Sequence, residues 1–374
     1  MAKIPEKKKG PIKVNEFDLQ GFQKSNGLDS TVKDKEIGWI PFSSAFHDAL
    51  GIPGLPKGYV SLLRGFSNTG KSTGAYEAMV SCQKIGVLPI FIDTENNFSW
   101  EHAKDLGIQF EPVVNEETGE IIDYKGFFMY IDNDALLKKY GKYDYDEAKD
   151  VKDRRSEACV EDVSSLIDDL IDAQSAGKLP YELCFIWDSI GSLNCFKSIK
   201  SKSKNNMWNA GALENTFKAI INHKIPASRK EGKEYTNTFI AVQKIWLDSM
   251  QGKGVIKHKG GEAFFYAARF IIHFGGVTSH GTKSLTATSG GKTYSFGIET
   301  KIKCEKNQVN GIEFEGVIAS APTGFMNPLK KAEYTKENKD LLLSKLGVIS
   351  GDIEIIASEP TEDDIRDMYI SDSN

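Results

Sequence analysis

Apolar positions between residues 37 and 317 fall into two alternating kinds of stretch. Short, nearly unbroken runs at 59–63, 88–92, 183–187, 238–242 and 268–274 read as buried strands. Stretches at 74–84, 99–106, 158–174 and 209–223 read as helices. In the third of these, Val160, Val163, Ile167, Leu170 and Ile171 fall on one face. Strands of continuous apolar character alternating with helices predict an α/β fold. Its central sheet is mainly parallel, buried, and flanked by helices on both faces. The same pattern divides the chain. Residues 1–35 are polar with little periodicity and read as an N-terminal arm, 36–320 form the core, and 321–374 form a short C-terminal region. The last contains a helical stretch at 329–346 and an acidic tail with Glu359, Glu362, Asp363, Asp364 and Asp367. Within the core, the charged segment 111–157 reads as an excursion. The Gly-, Ser- and Thr-rich stretch 277–292 reads as a mobile turn or hairpin. Alternation through Phe296, Ile298, Thr300 and Ile302, then Ile312 and Phe314, predicts a hairpin near the end of the sheet.

Composition adds constraints. A chain of 374 residues, 40% apolar and 26% charged, is long enough for one large α/β domain with appendages, or for two domains. The net charge of −5 requires any basic surface to be local. No apolar run reaches the roughly 18–20 residues of a membrane span, so no membrane partner is expected. The N-terminus lacks the apolar core of a secretion signal. The five cysteines are scattered, with no Cys-x-x-Cys spacing, which fits free thiols in a reducing cytoplasm.

One motif carries specific chemistry. Gly65-Phe66-Ser67-Asn68-Thr69-Gly70-Lys71-Ser72 is a complete G-x-x-x-x-G-K-S phosphate loop, followed by Thr73, between an expected strand and an expected helix. Its backbone N–H groups and the helix N-terminus suit the phosphates of ATP. Lys71 reaches the outer phosphates and the Ser72 hydroxyl suits Mg²⁺. The second strand ends Asp93-Thr94-Glu95. At the carboxyl end of a parallel strand, Glu95 suits polarising an attacking water, although both acids also suit capping the next helix. The third strand runs Leu183 to Trp187 into Asp188, a candidate Mg²⁺ ligand, with Ser189 beside it. The fourth ends in Gln243, which suits either sensing a terminal phosphate or a turn. Two loops follow these strands. Residues 196–208 hold Lys197, Lys200, Lys202, Lys204 and Trp208; residues 244–261 hold Lys244, Trp246, Lys253, Lys257, Lys259 and a Gly260-Gly261 pair. Lysines with an aromatic suit a single nucleic-acid strand, and they equally suit a solvated charged loop.

These residues resemble the RecA-type recombinases, including phage relatives of the UvsX kind, over about residues 36–320. Ala49 to Gly58 resembles the family's lead-in "ALG-x-GGLP-x-G", Phe91 to Glu95 resembles "FIDAE", and Ala103 to Ile108 resembles "ARKLGV". Asp188-Ser189-Ile190 resembles "DSV", Gly260-Gly261-Glu262-Ala263 resembles the start of "GGNALKFYAS", and Lys303 to Asn307 resembles "KVVKNK". The resemblance implies a RecA-like ATPase core using ATP and Mg²⁺, with Glu95 as catalytic carboxylate. Gln243 would couple nucleotide state to the second DNA loop, which Gly260-Gly261 closes. Lys306 would reach the ATP of a neighbouring subunit, although Gln308 stands where the family has a second lysine. It further implies helical filaments on single-stranded DNA, pairing with double-stranded DNA, and assistance from ssDNA-binding and mediator proteins. The setting is the cytoplasm, a host's if the protein is phage-encoded. A hexameric helicase-like motor, or an ATP-binding ssDNA-coating filament with little hydrolysis, are the alternatives.

Overall fold

The computed structural model describes residues 18–28, 33–142, 155–201, 206–248, 255–258, 263–276, 281–345 and 353–354. The chain opens with α1 (Leu19–Ser25), β1 (Trp39–Pro41), α2 (Ser44–Leu50) and β2 (Gly54–Pro56). The first strand–helix units follow as β3 (Val60–Gly65), α3 (Lys71–Lys84), β4 (Leu88–Asp93) and α4 (Trp100–Leu106). Then come β5 (Glu111–Val114), β6 (Ile121–Lys125), β7 (Met129–Asp132), α5 (Asn133–Tyr140) and α6 (Val160–Ser175). β8 (Leu183–Ile190), α7 (Phe196–Ser201) and α8 (Asn206–Ala219) lead through a π-turn at Ile220–Lys224 into α9 (Ile225–Ser228). β9 (Thr238–Asp248), β10 (Val255–His258), α10 (Ala263–Ala267) and β11 (Phe270–Gly275) complete the parallel half. β12 (Lys283–Ser289), β13 (Lys292–Asn307), β14 (Glu315–Ala321), β15 (Gly324–Met326), α11 (Lys331–Glu337), α12 (Lys339–Lys345) and β16 (Ile353–Glu354) form the remainder.

The main sheet runs β15-β14-β13-β11-β3-β9-β8-β4-β7. From β11 to β7 every neighbour is parallel, as the apolar runs predict; from β13 outward the pairing is antiparallel. Successive residues of the central strands face opposite layers. Leu63, Phe91, Ile186 and Ile240 pack with Ala75, Tyr76 and Met79 of α3. Leu62, Ile90, Phe185 and Trp187 pack with Val163 and Ile167 of α6 and Phe217 of α8. Strands buried on both faces are apolar at most positions, which is why they read as nearly unbroken runs.

Several segments depart from the sequence reading. The 111–157 excursion contributes β7, which adds to the main sheet beside β4, and an exposed hairpin of β5 and β6. Residues 244–248 and 255–258 are strands of a hairpin rather than loop. Within 277–292, by contrast, residues 283–289 form with β13 the hairpin that the sequence offers as one of its two readings. Ile312 and Phe314 precede β14 instead of lying in it. The Asn307 side chain organises that turn, accepting from the N–H groups of Val309 and Asn310 and donating to the Ile312 carbonyl at 2.8 Å. The helical stretch 329–346 divides into a 3₁₀ turn, α11 and α12. Among the described residues no helix is long and apolar enough to cross a membrane. All five cysteines are buried and free.

Candidate nucleotide site and nucleic-acid interface

The loop between β3 and α3 is shaped by two glycines. A Cβ on Gly65 would lie 2.3 Å from the Phe274 carbonyl oxygen of β11. Gly70 adopts φ +89° at the start of α3, a left-handed conformation that disfavours side chains. The Thr69 hydroxyl donates to the Phe66 carbonyl at 2.8 Å, and the Lys71 ammonium donates to that same carbonyl. Burial pushes the Lys71 pKa down to about 8, against the favourable field of Asp188.

Ser67 through Thr73 line a cavity of about 400 Å³ with Glu95, Asn97, Asp188, Lys244, Ile298 and Ser320. The structure therefore brings the phosphate loop, the β4 acid and the β8 acid to one place. Ser72 Oγ donates to Asp188 Oδ2 at 2.9 Å. Burial raises the Asp188 pKa to about 6, against the lowering effect of that bond, and the carboxylates of Glu95 and Asp93 add to the rise. A hydroxyl and a carboxylate in contact are hard oxygen donors of the kind Mg²⁺ takes, with remaining positions for water and phosphate oxygens. Among the described residues no group of three or more His, Cys, Asp or Glu could hold a metal ion by itself.

Asp93 and Glu95 have separate roles. Asp93 accepts from the backbone N–H groups of Glu95, Asn97 and Phe98 and from the Tyr130 hydroxyl, so it builds the turn after β4. That turn aims Glu95 into the cavity. Glu95 accepts from the Ser189 hydroxyl through Oε1, and from Lys244 Nζ at 2.5 Å and Asn97 Nδ2 at 3.1 Å through Oε2.

Gln243 and Lys244 face opposite sides of β9. Gln243 is fully buried, in register with Arg64 and Ile190, and does not line the cavity. The next residue of β9 faces the other way, so Lys244, expected on a DNA loop, points to Glu95. Ile298 and Ser320 also escaped sequence reasoning. They reach the cavity from paired positions on β13 and β14, more than 200 residues after the motif, with no local signal. Lys306 lies away from this chain's own cavity. Its ammonium donates to the carbonyls of Phe265 and Tyr266 at 3.3 and 3.2 Å, near the end of α10. Gln308 accepts from Arg269 at 2.6 Å.

Of the candidate DNA contacts, Lys197 stacks its ammonium 4.4 Å from the Trp208 ring centre, and Lys200 lies over Phe196. Trp246 is 43% exposed on β9 and pairs in register with Lys257 of β10. Lys202, Lys204, Lys253, Lys259, Gly260 and Gly261 lie outside the described residues, as do most of the 1–35 arm and the acidic tail.

The sequence pattern of the RecA N-terminal domain matches residues 24–121, a stretch containing the phosphate loop and Glu95. That stretch is similar to the RecA N-terminal domain. The chain is 33% identical over 135 residues to Protein RecA of Mycobacterium ulcerans, covering 33% of this chain and 38% of that protein. It is 31% identical over 117 residues to Protein RecA of Aquifex pyrophilus, covering 30% and 34%. Against Protein RecA of Campylobacter lari it is 35% identical over 117 residues, covering 28% and 34%. The matched stretch thus spans little more than a third of these relatives' length. The RecA-type resemblance read from the motifs holds, and so does the α/β fold. The family pattern stops before β7.

Proposed function

We propose that this chain is an ATP-dependent recombinase that assembles as a helical filament on single-stranded DNA and pairs it with double-stranded DNA. The observation that supports this most is the cavity where phosphate loop, Ser72–Asp188 pair and Glu95 converge beside β9. β9 continues from that cavity into the hairpin that exposes Trp246 and Lys257. One strand therefore touches both a phosphate site and a surface suited to a nucleic-acid backbone and a stacked base.

In this reading the loop N–H groups and Lys71 hold the phosphates, while Ser72 and Asp188 hold Mg²⁺ through its oxygen shell. Glu95 orients and polarises the attacking water. A water oxygen bonds to the terminal phosphorus as the bond to the bridging oxygen breaks; ADP leaves with that electron pair, the terminal group leaves as inorganic phosphate, and the water's proton passes by way of Glu95 to solvent. Lys306 serves the ATP of the adjoining subunit, and the basic segments 196–208 and 244–261 hold DNA. The reading includes a UvsX-like, phage-encoded protein acting in the host cytoplasm with ssDNA-binding and mediator proteins.

Electron microscopy of the protein on circular single-stranded DNA, with Mg²⁺ and a slowly hydrolysed ATP analogue, tests the reading. Continuous helical filaments are the expected outcome. Discrete six-fold rings would replace it with a helicase-like motor, and bare DNA would remove it.

A further inference from the structure

Among the described residues two cations face the candidate nucleotide cavity, and one of them belongs to the phosphate loop. The second, Lys244, lies on β9 and pairs with Glu95, Nζ to Oε2, at 2.5 Å. The same carboxylate is the group positioned to activate water. Lys244 therefore engages the carboxylate while facing the space that a terminal phosphate would enter.

The two candidate partners for the ammonium are unequal. Glu95 carries at most one negative charge, whereas the terminal phosphate of a nucleoside triphosphate carries more and offers several acceptor oxygens. A diphosphate in the same pose leaves that terminal position without charge. The strand adds a connection. Lys244 and Trp246 are two residues apart and share a face of β9, and Trp246 is opposite Lys257 in the hairpin. The lysine that faces the cavity is thus carried at the root of the hairpin that exposes Trp246.

We propose that Lys244 senses the terminal phosphate: it leaves Glu95 for the third phosphate of a bound nucleoside triphosphate and frees Glu95 to orient water. This rests on the reading of the cavity as an ATP site. It places a sensing contact at the cavity-lining Lys244, one residue beyond Gln243 on β9.

The test is a binding cycle on the full chain with Mg²⁺, using ADP and a slowly hydrolysed ATP analogue as probes. The proteins are the parent, Lys244→Gln, Glu95→Gln and the double variant, with thermal melting to confirm that each is folded. Lys244→Gln is expected to weaken the triphosphate analogue about tenfold, equivalent to about 1.4 kcal/mol. ADP binding should move by less than about twofold, on the scale where tenfold is 1.4 kcal/mol. Glu95→Gln should tighten the analogue by removing the competing anion, and that gain should vanish in the double variant. Lys244→Arg should retain most of the preference for triphosphate. Equal losses for both nucleotides, or a Glu95→Gln gain that survives without Lys244, would overturn the sensor. A parent protein that binds neither probe would remove the ATP reading along with it.

Discussion

At the scale of single residues, the cavity is tuned by burial. Lys71 has a pKa lowered to about 8, yet it must be charged to hold phosphate. Nucleotide affinity should therefore fall as pH rises from 8 toward 10, by up to about tenfold per pH unit, in titrations of the DNA-free protein. Asp188 works in the opposite sense. Its pKa of about 6 means that metal binding must displace a proton below that pH. Mg²⁺-dependent nucleotide affinity should rise as pH climbs through 6 and level off above 7, while Asp188→Asn should remove that limb. Glu95→Gln should slow phosphate release about a hundredfold to ten-thousandfold, the range typical of a lost general base, while nucleotide remains bound. Much of this site was legible because the phosphate loop is contiguous and each acid ends an apolar run. Lys244 was misassigned for an equally local reason. In sequence it begins a basic segment, and only the alternation of side chains along β9 shows that it faces inward.

Among the elements, the helix that follows the phosphate loop is tied down by a buried acid. Glu77 of α3 accepts from the backbone N–H of Phe325 in β15 at 2.6 Å and from that of Ser43 before α2 at 3.2 Å. Burial nevertheless pushes its pKa up to about 7. A carboxyl raised in the folded state holds its proton more tightly there than in the unfolded chain. Stability should thus decline as pH rises from about 4.5 to about 7, by on the order of 3 kcal/mol, and then level off. Denaturant midpoints across that range should show the decline in the parent protein and lose most of it in Glu77→Gln. On the other face, Trp187 stacks on Phe217 at 5.2 Å and donates its indole N–H to Thr94 at 2.9 Å. The same interplay explains which elements could be read from sequence. β3, β4, β8 and β9 begin in apolar runs because helices cover both of their faces. β7 was missed because Met129, Tyr130, Ile131 and Asp132 are each only partly buried at the sheet edge. The β5–β6 pair was missed because it packs as a separate exposed hairpin, with Ile121 and Ile122 largely in solvent.

For the whole molecule, the informative residue is one that does no work in its own cavity. Lys306 is carried on β13 with its ammonium against the carbonyls near the end of α10, and Arg269 stands close enough to lower its pKa through their repulsion, although desolvation contributes more. Among the described residues neither Lys306 nor Arg269 has a carboxylate within ion-pair distance, so the pair is a local excess of positive charge. A neighbouring subunit's nucleotide phosphates would relieve that excess, and a filament that repeats head to tail would supply one at every junction. The prediction is therefore complementation between two defective chains. Lys71→Ala should lose its own nucleotide yet still offer Lys306 to a neighbour. Lys306→Ala should keep its phosphate loop yet fail to serve the adjoining one. Each alone should show little DNA-stimulated phosphate release. Mixed one to one, roughly a quarter of randomly paired junctions join an intact phosphate loop to an intact Lys306, so activity should return toward that fraction. Mixtures as inactive as their parts would mean that Lys306 holds α10 in place and nothing more. Recovery would show that the catalytic unit is the junction between two chains, with Glu95, Asp188 and Lys71 on one side and Lys306 on the other.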